Sequence, residues 1–323
     1  MRQAEFKFCA RRSRQQRVSQ RRNVLLWDAA ITKRTQERYV EGLRQLKPHL
    51  KKIKSSKDLD EAVSEWIQLS WEKGDSLHIV NDGLCGLQHY YPWVKHKIPL
   101  SWRLFRVWRK VEAPNRAPPL TKEIVDSFVM YAIAHRDLSF AAMMVLGFYG
   151  LLRTGELMQI RPSDILVGRR AAVISLKDTK SGLRNAAHET VSITEDLALE
   201  ILRAAISESA SNNFQKVPLW SKSPQCFRNA FRRHCSMFHL QAHNFRPYSL
   251  RRGGATAIFQ QSGSMELALL KGRWTSTKVA KIYLADGLSY LPGLTYSVDA
   301  RKQLSKWSVN NQLKTDRDRG RGE

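Results

Sequence analysis

Acidic residues are scarce in this chain: 29 Asp and Glu face 54 Lys and Arg across 323 residues, leaving a net charge of +25. The excess exceeds what solubility needs and runs through the whole chain, so it implies a polyanionic partner. No basic amphipathic lipid-binding helix stands out, which weighs against an anionic membrane and in favour of nucleic acid. Long hydrophobic runs are also missing. The longest, Phe140 to Leu152, falls short of the ~20 apolar residues of a membrane span, so a soluble protein with no membrane partner is expected. Cysteine is rare: Cys9, Cys85, Cys226 and Cys235 have no paired spacing. The N-terminus lacks the apolar core of a secretory signal, and a reducing compartment follows.

Two chemical signatures are absent as well. There is no P-loop, and no carboxylate cluster of the kind two-metal nucleases use. Cys226, Cys235, His239 and His243 superficially spell a zinc set, but the gap between the cysteines is too long for a zinc knuckle. That run reads instead as a helix burying Phe227, Ala230 and Phe231.

What is present reads as two domains, since the length suffices for two cores. Residues 1–22 carry eight Arg and Lys against Glu5 and read as a basic disordered arm. Residues 23–112 read as a small all-helical domain. Thr32 opens a helix with Tyr39, Leu43, Leu46 and Leu50 on one face and Lys33, Arg34, Arg38 and Arg44 on the rest. Helical stretches centred on Ala62–Trp71, Ile79–Tyr90 and Trp102–Val111 follow. In the last, aromatic residues alternate with Arg103, Arg106, Arg109 and Lys110, so the rings read as packing and the cations as a phosphate-facing surface.

Residues 113–120 hold three prolines without periodicity and read as an extended linker. Residues 121–295 then read as a mixed domain. Thr121 caps a helix; a buried helix over 140–149 stops at Gly150 as its C-terminal cap; a short helical turn starts near Thr154. Ile165–Val167, Ala171–Leu176 and Thr190–Ile193 read as three short antiparallel strands, with helices from Leu197 onward. Residues 296–323 read as a disordered tail. The expected fold class is mainly α with a small antiparallel β-sheet.

Three separated segments remain: Gly150 to Leu157 (GLLRTGEL), Tyr248 to Thr256 (YSLRRGGAT) and Gly272 to Tyr283 (GRWTSTKVAKIY). Together they resemble the three signature boxes of the tyrosine recombinase, or phage integrase, family. Arg153 with Glu156, Arg251, and Trp274 nine residues before Tyr283 match the order and spacing of those boxes. The resemblance covers most of residues 30–290. It implies a SAM-like helical core-binding domain followed by a mixed α+β catalytic domain. It also implies DNA strand cleavage and religation through a covalent 3′-phosphotyrosine at Tyr283, without cofactor, on double-stranded DNA, by a homotetramer holding two duplexes. Such activity serves DNA recombination and integration, often by mobile elements. The location would be intracellular and DNA-associated: the nucleus in a eukaryote, the cytoplasm or nucleoid in a bacterium or virus.

The chemistry supports those roles residue by residue. Planar, permanently charged guanidinium groups suit the extra charge on the non-bridging oxygens of a phosphorane-like state, which fits Arg153 and Arg251. An unperturbed tyrosine titrates near ~10, so Tyr283 needs a strong positive field, which that arginine pair provides, or a base to attack at neutral pH. The leaving sugar oxygen needs a proton. The resemblance places the donating lysine in the loop after the second strand, at Lys177 or Lys180, with Lys180 preferred. Glu156 would orient Arg153, and Trp274 would donate its indole N–H to a phosphate oxygen and wall the site. Lys33, Arg34, Arg38, Arg184 and Arg252 are expected to contact DNA.

One position departs from the family pattern. Tyr248 stands where His is usual; it can donate to a phosphate but cannot shuttle protons near neutrality. A catalytically impaired, domesticated recombinase acting as a DNA-binding protein is therefore the alternative reading. A strand nicker-closer resembling type IB topoisomerases is a second.

Overall fold

The computed structural model describes residues 30–51, 53–112, 116–176, 189–212, 214–274 and 276–309, apart from the side chains of Val279 and Tyr283. The chain divides into two contact-dense units, residues 1–115 and 116–323.

Among the described residues the first unit holds four α-helices: α1 (Lys33–Leu46), α2 (Ser56–Glu72), α3 (Leu77–Tyr90) and α4 (Pro99–Val111). Their starts are written in sequence. The Thr32 hydroxyl accepts from the Thr35 amide, and Ser55 with Asp58 forms a reciprocal capping box. α1 packs on α3 and α2 on α4 around Leu46, Val63, Trp66, Ile67, Val80, Leu84, Phe105 and Trp108. Phe105 and Trp108 are buried while Arg103, Arg106, Arg109 and Lys110 are exposed, as the alternation on α4 requires.

The second unit begins with an extended segment, 116–120. This part of the expected linker is packed: Ala117, Pro119 and Leu120 are buried, and the Leu120 amide donates to the Ser249 carbonyl. Prolines disfavour helix at this segment, and burial then fixes it. α5 (Lys122–Ala134) is capped by Thr121, and α6 (Leu138–Phe148) is buried from Phe140 to its end. Gly150 is not the glycine cap expected of α6. The left-handed residue is Leu151 (φ 49°), and Gly150 is small because a Cβ there would press on the Leu146 carbonyl.

The short α7 (Thr154–Leu157) leads into a three-stranded antiparallel meander: β1 (Ile165–Val167), β2 (Ala172–Leu176) and β3 (Glu189–Ile193), in the order β1-β2-β3. The register pairs Ile165 with Ile174 and Ile174 with Val191 on the buried face, and Leu166 with Val173 on the exposed one. α8 (Asp196–Ser211), α9 (Pro224–Met237), α10 (Tyr248–Ser262), α11 (Met265–Gly272) and α12 (Thr277–Tyr290) follow. α9 buries Phe227, Ala230 and Phe231 as expected.

The tail reading is corrected at its start. Residues Val298–Lys306 form α13, capped by Ser297, with Ala300 and Leu304 buried against α5 in the main core. Only two apolar positions face inward on this polar helix, too weak a periodic signal to separate it from a solvated tail. No described helix is long and apolar enough to cross a membrane.

Candidate active site

The site is set by the turn after α6 and the starts and ends of α7, α10, α11 and α12. Arg153 occupies the N-cap position of α7, and Glu156 reaches back to it twice. Its Oε2 accepts from the Arg153 amide at 2.8 Å and its Oε1 from Arg153 Nη1 at 2.7 Å. Expected to face Arg153 across about one helical turn, Glu156 does so as the third residue of a capping arrangement. The Arg153 side chain keeps 31% of its surface exposed.

Arg251 lies one turn into α10 and is only 1% exposed. Its guanidinium donates to the carbonyls of Leu151 and Gly272 and sits 4.9 Å from the centroid of the Trp274 ring. The glycines after it let α10 approach this closely. A Cβ at Gly253 would collide with the Leu120 carbonyl, and one at Gly254 with that of Phe148, the close packing expected of Gly253-Gly254-Ala255. Burial first, then the charges of Arg153 and Arg273, hold the Arg251 pKa below its ordinary value. The pocket therefore favours an arriving anion.

Trp274 packs against Leu151, Ala255, Ala268 and Leu284, and its ring lies over Gly272, where a Cβ would strike it. Tyr248 opens α10 and remains 37% exposed. Burial raises its hydroxyl pKa against the pull of Arg251, Arg252 and Arg153, so it stands near three cations as a neutral phenol at neutral pH.

Arg273 was not foreseen. At the end of α11 it adopts the left-handed conformation (φ 52°), and its side chain is 9% exposed. Its Nη2 meets Glu156 Oε2 at 2.7 Å and its Nη1 meets Glu189 Oε2 at 2.9 Å. The visible signal was its place between Gly272 and Trp274, where a long cation is pinned to the site's neighbours. Burial pushes the Glu156 pKa upward, but Arg273 and then Arg153 hold it below its usual value.

One expected DNA contact is turned away from solvent. Arg252 is 3% exposed; its Nη1 donates to the Ala117 carbonyl at 2.7 Å and its Nη2 to Asp286 at 3.1 Å. A guanidinium enclosed by a carbonyl and a carboxylate ties the entering segment to α10 and α12 and does not face solvent. Arg38 gives both prongs of its fork to Asp82, at 2.8 and 2.6 Å, linking α1 to α3, while its side chain stays 52% exposed. Lys33 and Arg34 are exposed on α1. Lys177, Lys180 and Arg184 lie outside the described residues.

Tyr283 falls within α12, the helix that packs on α10 and α11 through Ala280, Leu284 and Gly287; its side chain lies outside the description. The backbone thus brings the third box onto the element carrying the second. Among the described residues no group of three His, Cys, Asp or Glu comes together as metal ligands.

No family model matches the chain, and no curated protein matches it. Solved structures do. The Tn1549 transposon integrase in complex with transposon right end DNA is 14% identical, with 88% of this chain and 95% of that one covered and a TM-score of 0.58. A lambda integrase dimer bound to a COC′ core site is 14% identical, with 84% and 76% covered and a TM-score of 0.56. The XerH site-specific recombinase bound to difH substrate is 14% identical, with 77% and 71% covered and a TM-score of 0.51. At such identities the likeness is one of fold: the chain has the fold of the tyrosine recombinases, mostly helical with a small three-stranded antiparallel sheet.

Proposed function

We propose that this protein is a site-specific DNA recombinase or integrase that cleaves and rejoins double-stranded DNA through a 3′-phosphotyrosine on Tyr283. The observation that carries the reading is the convergence of Arg153, Tyr248, Arg251 and Trp274, drawn from three distant segments, around one cation-rich pocket. The net charge of +25 supplies the attraction to DNA. The solved structures of similar fold include integrases and a recombinase bound to DNA, which agrees with this reading.

In this mechanism the Tyr283 hydroxyl attacks the scissile phosphorus and gives up its proton to solvent water. The bond to the 5′-oxygen breaks, and that oxygen takes a proton from Lys180. Arg153, with its exposed face, and Tyr248 donate to the non-bridging oxygens; Arg251 supplies positive field from beneath. The phosphotyrosine keeps the energy of the broken bond, so a 5′-hydroxyl from the same or another strand rejoins it without nucleotide or metal. Exchange between two duplexes calls for four protomers assembled on DNA. Lys33 and Arg34 contact backbone phosphates from the helical unit, and Arg184 does so beside the site.

A second reading, a DNA-binding protein that no longer cleaves, is favoured by two observations: Tyr248 in place of His, and Arg251 with both amino groups given to backbone carbonyls. Covalent trapping separates the two. The protein and Y283F are incubated with nicked duplexes of randomised sequence, without metal, and denatured. An adduct formed by the first and absent from the second supports the recombinase; salt-sensitive binding with no adduct across the substrate set supports the binding protein.

A further inference from the structure

We propose that Arg273 is a positioning residue for Arg153, acting through the carboxylate of Glu156; the inference rests on the recombinase reading above. Arg273 holds a left-handed backbone conformation at φ 52°, which is unfavourable for a residue with a Cβ and at a helix end is usually left to glycine. Such strain persists only where surroundings impose it. Here the surroundings are two acidic side chains from distant elements: Glu156 on α7 at 2.7 Å and Glu189 on β3 at 2.9 Å. All three side chains are 15% exposed or less.

Glu156 is the shared part. One of its oxygens takes the Arg153 guanidinium at 2.7 Å while the other takes Arg273 at 2.7 Å. A carboxylate held by one flexible partner can swing; one clamped between two guanidinium forks, and fixed again by the Arg153 amide at 2.8 Å, cannot. The orientation of Arg153, the most exposed guanidinium of the cluster, is thereby set from behind by a residue that does not reach solvent. Arg273 also adds charge. Arg153, Arg251 and Arg273 face the carboxylates of Glu156 and Glu189, leaving a net positive pocket among the described side chains for a phosphate to neutralise.

Removing Arg273 leaves burial to act on Glu156 with Arg153 as its remaining partner. The carboxyl then takes up a proton at a higher pH than in the native protein, and on protonation it releases Arg153. A purely structural tie would not couple the pH dependence of cleavage to Arg273 in this way.

The test uses the full chain and the nicked duplexes above. Adduct formation rate is measured against pH, and DNA affinity at fixed salt, for wild type, R273Q, R273K, E156Q and the double variant R273Q/E156Q. Expected for R273Q is a loss of roughly tenfold or more in adduct rate with affinity within about threefold, since displacing a catalytic group matters more to chemistry than to binding. Its rate should also fall at a higher pH than that of wild type, with R273K intermediate. In the E156Q background the R273Q change should cost less than about threefold more, because both act on one group. A folded R273Q with wild-type rate and pH profile, or a fully multiplicative double variant, overturns the proposal. Should R273Q fail to fold, R273K carries the test: an unchanged rate and profile overturns, and a displaced profile supports. A wild type that forms no adduct sinks the recombinase reading and this proposal with it; an adduct indifferent to Arg273 sinks the proposal alone.

Discussion

Glu156 and Arg273, 117 residues apart in the chain, meet in a two-pronged ion pair, with Nη2 to Oε2 at 2.7 Å and Nη1 to Oε1 at 3.3 Å. Both side chains are 9% exposed, so each neutralises a charge the other would leave stranded in the interior. E156Q keeps the shape and removes the charge. It is expected to lower stability by about 2–4 kcal/mol, read by denaturant unfolding, because two guanidinium groups lose their anion.

The same pair sets a pH dependence. The Glu156 pKa is depressed in the folded protein, so its stabilising contribution is present above the ordinary carboxylate range near ~4.3 and is lost as pH falls through its lower folded value. Acid unfolding should therefore be steeper for wild type than for E156Q, and the stability gap between them should narrow as pH falls. Parallel curves down to the lowest pH would contradict the assignment.

Burial and neighbouring cations disfavour the charge on Arg251, so the pocket should be stabilised by a small oxyanion. Sulfate is expected to raise the Tm of wild type above that in sodium chloride of equal ionic strength, by the mass action of a bound ligand. The difference should vanish in R153Q, whose guanidinium is the one with an exposed face.

Arg252, itself 3% exposed, joins the Ala117 carbonyl to the part-exposed Asp286. R252M is expected to lower stability by about 2–4 kcal/mol while leaving the salt slope of DNA affinity unchanged. A slope reduced by about one ion, with stability intact, would return Arg252 to the DNA face.

Leu304 on α13 is 1% exposed within the main core. L304A should cost about 2–4 kcal/mol, whereas an unpacked tail would tolerate it.

The amino-acid sequence by itself determined the helices ahead of the C-terminal α13, the three strands and the three boxes. These follow from local rules: apolar spacing of 3.6 or 2, caps at Thr32 and Thr121, and alternation on β2 and β3. Fixed spacing within a box also put Glu156 against Arg153, since both lie in one helical turn. Tertiary structure alone decided which cations face outward. Arg251 and Arg252 are adjacent and chemically identical, and their environments differ only because α10 turns one toward Leu151, Gly272 and Trp274 and the other toward Ala117 and Asp286. Arg273 was likewise claimed by acids brought from distant elements. A guanidinium carries no local mark of its partner; the carbonyl or carboxylate that folding delivers settles whether it binds a phosphate or holds the protein together.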